Sequence, residues 1–132
     1  MEKNTKQIIV TALILMILGI ILGAFGAHGL KGKVSVEKIA SFETGVRYQL
    51  LNALGLLAIA ALKPAVHFSL KTVYVLILCG VILFSGSIYG LTFQEMGSLN
   101  LGKVLGPVTP LGGLLIIIGW TLLLVRVIRA KN

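Results

Sequence analysis

The sequence predicts an all-α fold, a four-helix transmembrane bundle with both termini on the cytoplasmic side. Three observations lead there. Of 132 residues, 57% are apolar and only 12% charged, against roughly 25% charged in an average soluble domain. The apolar residues collect in four runs, each able to cross a hydrocarbon core of about 30 Å, which takes about 20 helical residues. The charged residues fall between those runs. A mean hydropathy of +1.01 exceeds what a small soluble domain can hide in its interior, so residues 1–132 read as a single integral membrane domain.

The first span covers about residues 8–28 and carries no ionisable group before His28. Lys3 and Lys6 in front of it and small residues near Ala27 imitate a secretory signal, but its apolar stretch of about 20 residues is longer than the usual 7–15. The second span covers about 43–62. It is extended by an amphipathic outer segment: Ser35 is placed to cap, Glu37 sits in the first turn where the dipole favours an anion, and Val36, Ile39, Phe42 and Val46 recur at helical steps. From Ser35 to Leu62 such a helix is about 42 Å long, more than the bilayer core. The third span covers about 72–93, after a hairpin at 63–71 in which Pro64 breaks the helix. The fourth covers about 107–127, with Thr109 as its cap, Pro110 in the first helical position and a Gly-rich loop over 94–106 before it.

Four spans place both termini on one side. Lys3, Lys6, Lys63, Lys71, Arg126, Arg129 and Lys131 lie on that side, and Lys31, Lys33, Lys38 and Lys103 on the other. The excess of basic residues makes the terminal side cytoplasmic. Although the net charge is +8, the cations anchor membrane edges instead of forming a stripe, so the expected partner is the lipid bilayer and not nucleic acid. The lone Cys79 reads as a small core residue.

Lipid tails are as apolar as leucine, so small residues that admit a neighbouring backbone are the main packing device. Gly19 and Gly23, Gly86 and Gly90, and Gly112 and Gly113 are the candidate packing positions. They serve the bundle itself or a homo-oligomer.

The polar residues of the spans converge on the end opposite the termini. Counted from Leu62, Asn52 is about 15 Å deep, Arg47 about 22 Å and Glu43 about 28 Å. His28, Tyr48, Gln49, Tyr89, Glu95 and Thr109 fall at the same end. Arg47 is costly in a membrane, and Glu43 four residues earlier is the expected ion partner. The cluster is read as a structural clasp or a ligand site. His28, flanked by glycines, is read as capping the last carbonyls of its helix. A metal needs three or four convergent ligands, and neither that set nor a nucleophile with its base is recognisable. No cofactor and no enzymatic activity are therefore expected.

The stretches GAFGAHGL (23–30), ETGVRYQ with NALGLL (43–57), FSGSIY (84–89) and GPVTPLGG with IIGW (106–120) together resemble the YgdD/YwdK-like family of small bacterial inner-membrane proteins. The resemblance covers all four spans. It implies a four-helix protein of the bacterial cytoplasmic membrane and brings no activity or cofactor with it.

Three functions remain open on the sequence. The first is a non-enzymatic membrane protein supporting envelope integrity through helix packing, self-association or other membrane proteins. The second is a small transporter or channel for an ion or small solute, although the first span lacks the acidic residue that proton-coupled exporters of this size carry. The third is a metal- or haem-binding membrane component.

Overall fold

The computed structural model describes residues 1–97 and 100–130. Four helices, α1 (Lys3–His28), α2 (Val36–Leu62), α3 (Lys71–Met96) and α4 (Gly102–Arg129), follow one another, with a short 3-10 turn at Lys63–Ala65. All four are long and apolar enough to cross a membrane. No strand occurs among the described residues.

Local chemistry explains most of the boundaries. α1 stops where the Gly29 N–H turns back onto the Phe25 carbonyl at 2.6 Å. The chain then reverses through Gly32 at φ 73°, a left-handed conformation that glycine adopts without a steric penalty. Ser35 caps α2, its Oγ accepting the Lys38 N–H at 3.3 Å, with Glu37 in the first turn as expected. Glu95, from the last turn of α3, reaches across and accepts the Ser35 N–H at 3.0 Å. A carboxylate at a helix N-terminus offsets the unpaired N–H groups there.

α4 departs from expectation. It begins at Gly102, so Pro107 and Pro110 lie inside it and Thr109 is not a cap. The connection from α3 is correspondingly shorter than 94–106 and spans 97–101, of which Ser98 and Leu99 lie outside the described residues. The early start is held by Gln94, whose Oε1 accepts the Leu101 N–H at 2.5 Å. Proline deprives the carbonyl four residues earlier of its donor, here those of Lys103 and Gly106. Both fall at the end of the span, where water can replace the lost bond. The residue before a proline resists helical geometry because of its Cβ, and before Pro107 that residue is glycine.

The helices pack in chain order, α1 on α2, α2 on α3 and α3 on α4. At one end the Lys63 ammonium lies 4.0 Å from the Glu2 carboxylate, and Arg126 donates to the Ser69 carbonyl at 2.5 Å. Both termini and the 63–70 turn therefore share that end. The Ser35–Glu95 and Gln94–Leu101 bonds tie the opposite end. Lys131, counted with the terminal side above, lies outside the described residues.

Buried positions alternate at steps of four and three. On α2 they include Phe42, Val46, Gln49, Ala53, Leu56 and Ala60, with Gly45, Asn52 and Ile59 buried beside them; on α4 they are Gly112, Ile116 and Gly119. On α1, Ala12, Gly19 and Gly26 are buried one heptad apart. A mean step of 3.5 keeps one face against a neighbour in left-handed pairs crossing at about +20°. Near the termini the core is aliphatic, from Ile8, Leu56, Ile59, Val73 and Ile77. At the far end it is aromatic: Phe42 is fully buried, with its ring centroid 4.9 Å from Tyr89 and 6.0 Å from Phe93.

The glycines divide into those that packing requires and those it does not. A Cβ on Gly112 would lie 2.8 Å from the Gly80 carbonyl oxygen, so α3 and α4 meet backbone to backbone. Gly19 faces Leu50, Gly23 faces Val46, and Gly90 faces Leu105. A Cβ on Gly113 would make only ordinary contact with Phe84, and one on Gly86 would meet nothing within 4 Å among the described residues, which removes Gly86 from the packing set. Cys79 is exposed instead of buried.

Candidate functional site

The interior polar groups form a seam centred on α2. Gln49 and Asn52 are 4% and 5% exposed, and each ties two helices. The Gln49 amide donates through Nε2 to the Leu15 carbonyl of α1 at 2.8 Å, and its Oε1 accepts the Tyr89 hydroxyl of α3 at 2.7 Å. The Asn52 amide donates to the Tyr48 carbonyl one turn back at 2.8 Å, and its Oδ1 accepts the Trp120 indole N–H of α4 at 2.9 Å. One helix thus grips all three others through two amide side chains.

Hydroxyls extend the seam. Ser85 donates to the Gly45 carbonyl at 2.7 Å, joining α3 to α2. Ser87 and Thr109 are 2.6 Å apart, joining α3 to α4. Because Ser87 gives its single proton to the Phe84 carbonyl at 3.0 Å, Thr109 is the donor between them. Nearer the termini, the Thr11 and Tyr74 hydroxyls bridge α1 and α3 at 2.7 Å. Among the described residues every buried side-chain nitrogen or oxygen has a partner. All these groups are neutral, so the bonds hold without the desolvation cost that a buried charge carries.

The clasp expected around Arg47 is not formed. Arg47, Glu43 and His28 are all exposed, and among the described residues the one ion pair within 4.0 Å is Lys63–Glu2. The reason is helical phase: the buried steps of α2 run through Val46 and Gln49, which turns Arg47 to the opposite face. Tyr48 is also exposed, its ring centroid 5.0 Å from that of Phe84. His28 ends α1, but the Gly29 N–H and not the imidazole provides the capping bond. Glu95 serves the α2 N-terminus, and Thr109 bonds Ser87 in mid-helix. Gln49, Asn52, Tyr89 and Thr109 are therefore brought into the seam, whereas His28, Glu43, Arg47 and Glu95 stand apart from it.

Trp120 and Thr11 are participants that the sequence reading missed. An indole N–H inside an otherwise apolar helix needs an acceptor, and that alone pointed from Trp120 towards an amide on a neighbour. Its ring lies on Gly55, where a Cβ would come within 2.5 Å of it. Nearer the end opposite the termini, a cleft of about 260 Å³ opens between α2, α3 and α4, lined by Lys38, Ser41, Thr44, Ile88, Leu91, Thr92 and Thr109. Among the described residues no three His, Cys, Asp or Glu side chains gather as a metal would need.

Residues 22–113, which hold most of this seam, match a family model described as a protein of unknown function, DUF423. The chain belongs to the DUF423 family. Among similar proteins is the UPF0382 membrane protein YwdK of Bacillus subtilis, 37% identical over 126 residues, 94% of this chain and 98% of the relative. The UPF0382 membrane protein SAB0533 of Staphylococcus aureus is 39% identical over 107 residues, 81% of this chain and 83% of the relative. A third, SH2409 of Staphylococcus haemolyticus, is 34% identical over 124 residues, 94% and 97% of the two chains. No solved structure matches. The YgdD/YwdK-like resemblance is therefore borne out, and the protein is a small multi-pass membrane protein of bacterial type. The matched DUF423 stretch includes Gln49, Asn52, Ser85, Ser87, Tyr89 and Thr109, while Leu15 and Trp120 fall outside it.

Proposed function

We propose that the protein is a non-catalytic structural component that supports the integrity of the bacterial envelope, its seam fixing a rigid bundle whose outer faces meet lipid and neighbouring membrane proteins. The observation that carries this reading is the double grip of α2. Gln49 and Asn52 spend their hydrogen-bonding groups on α1, α3, α4 and the preceding turn of α2. Such groups serve cohesion, and a reacting or transported species would have to displace them. The six described cations at the terminal end support a cytoplasmic placement of that end.

The test joins a cellular and a physical readout. A strain lacking the protein is expected to be sensitised to membrane-perturbing agents. Wild type and Arg47→Ala restore resistance, and Gln49→Leu combined with Asn52→Leu does not. The same double variant should unfold at a lower temperature in detergent. In liposomes, neither wild type nor variant should raise ion or proton leak. A flux through the wild type that the double variant abolishes without loss of thermal stability would overturn this reading in favour of a channel or transporter.

A further inference from the structure

We propose that the far-end cleft is a binding site for the headgroup of an anionic phospholipid that also carries hydroxyls, of the phosphatidylglycerol type. Proton accounting selects this ligand chemistry. Thr44 donates its hydroxyl proton to the Ala40 carbonyl at 3.1 Å, and Thr92 donates to Ile88 at 2.9 Å. Thr109 donates to Ser87, whose own proton is committed to Phe84. Each hydroxyl has one proton, so the part-exposed Thr44 and Thr109 present only acceptor lone pairs to a ligand, while Thr92 is fully buried behind them and the exposed Ser41 hydroxyl, with no hydrogen bond among the described residues, is free to donate. Lys38, on the same wall, presents a cation, and among the described residues it makes no ion pair within 4.0 Å. The complementary ligand brings one negative charge for Lys38 and hydroxyl donors for the threonine oxygens. A bare inorganic phosphate answers Lys38 and Ser41 but leaves the Thr44 and Thr109 oxygens without enough donors.

Position selects a lipid over a soluble polyol phosphate. Lys38 lies about 36 Å along α2 from Leu62, beyond a hydrocarbon core of about 30 Å and so at headgroup level. Below it, Ile88 and Leu91 make the other wall apolar, and the neighbouring exposed faces of α2 and α4 offer Leu51, Leu54, Leu111 and Leu114 to acyl chains. The cleft of about 260 Å³ has room for more than one water, each taking about 30 Å³, enough for a small headgroup. This inference does not depend on the envelope role proposed above.

The test uses the purified full chain in detergent, with short-chain phosphatidylglycerol, phosphatidic acid, phosphatidylcholine, inorganic phosphate and glycerol 3-phosphate as probes, read by thermal shift and native mass spectrometry. Phosphatidylglycerol should raise the melting temperature and persist as a one-to-one adduct, and the other four should do so less or not at all. Lys38→Gln should weaken phosphatidylglycerol binding about tenfold, equivalent to about 1.4 kcal/mol, Lys38→Arg should preserve most of it, and Lys103→Gln, at the same end but outside the cleft, should leave it unchanged. Thr44→Val, which removes an acceptor oxygen at nearly constant volume, should weaken it while phosphatidic acid binding changes little. Equal stabilisation by phosphatidylcholine or phosphatidic acid overturns the assignment of the headgroup. Equal stabilisation by phosphate or glycerol 3-phosphate overturns the lipid. Unchanged binding by a folded Lys38→Gln variant overturns the site.

Discussion

α1 and α2 lie side by side and sort their side chains in opposite ways. α1 is the most apolar helix, yet only 17% of its most apolar window is buried, whereas α2 carries Gln49, Asn52 and a lower mean hydropathy and is 44% buried. In water the order would be reversed. In a bilayer an isoleucine gains little by leaving lipid, which solvates it as well as protein does. An amide has no partner in lipid and moves inward to find one. Ile14, Ile17 and Ile21 accordingly face outward on α1, while Gly19 and Gly26 face α2. Burial here follows side-chain size and hydrogen-bonding need more than hydropathy.

The sharpest way to break this contrast is to spoil a small-residue contact. Gly112→Ala places a Cβ 2.8 Å from α3 backbone atoms, which cannot yield as a side-chain tip could. The expected cost is roughly 3 kcal/mol, the upper part of the range for overpacking. It should appear as a large loss of folded protein in denaturation by mixed micelles. Gly86→Ala, with nothing within 4 Å among the described residues, should unfold with the wild type. Equal behaviour of the two variants would show that close backbone approach does not hold α3 to α4.

The seam comes next in size. Gln49→Leu leaves the Leu15 carbonyl without its donor and the Tyr89 hydroxyl without its acceptor, for an expected loss of about 1–2 kcal/mol. Tyr89→Phe should cost less, and a double-mutant cycle between them should give about 0.6 kcal/mol, the average for hydrogen bonds inside membranes. Trp120→Phe removes only the indole donor to Asn52 and should cost a similar amount. Ile17→Ala on the outward face of α1 should stay within about 0.5 kcal/mol, as exposed substitutions do.

Run length and hydropathy made the four spans legible, because about 20 apolar residues have few other uses. Ser35 and Glu37 marked the start of α2 because capping is a local affair between near neighbours. The start of α4 was not legible. Thr109–Pro110 is a sound local start signal, but Gly106 before Pro107, the Gln94–Leu101 bond and the fit of Gly112 against α3 extend the helix upstream of it to Gly102, and two of those three are contacts with another helix. Half of the candidate site was legible for a related reason. Composition put Gln49, Asn52 and Arg47 together at one end, and depth alone could not say which faced inward. The four-and-three alternation through Phe42, Val46, Gln49, Ala53 and Leu56 contains part of that information: it includes Gln49 and leaves Arg47 out, but it also passes over Asn52, which is buried beside it.

Arg47 is where the two ways of weighing α2 make opposite predictions, and its expected effect is the smallest. It lies about 22 Å from Leu62 along the helix, in the leaflet opposite the termini, on the face turned away from α1 and α3. From there a long side chain can lay its methylenes along the helix and carry the guanidinium to the phosphate level. Arg47→Ala should therefore change unfolding free energy by no more than about 0.5 kcal/mol, and Glu43→Ala should not alter that value. A loss in Arg47→Ala as large as that of Gln49→Leu, removed when Glu43 is also replaced, would show that the pair one turn apart forms in the membrane and that charge, not the neutral seam, governs this end of the bundle. Because the seam's bonds are all between uncharged groups, raising the salt concentration should leave the Gln49→Leu defect unchanged, so salt dependence separates the two accounts independently of the size of either effect.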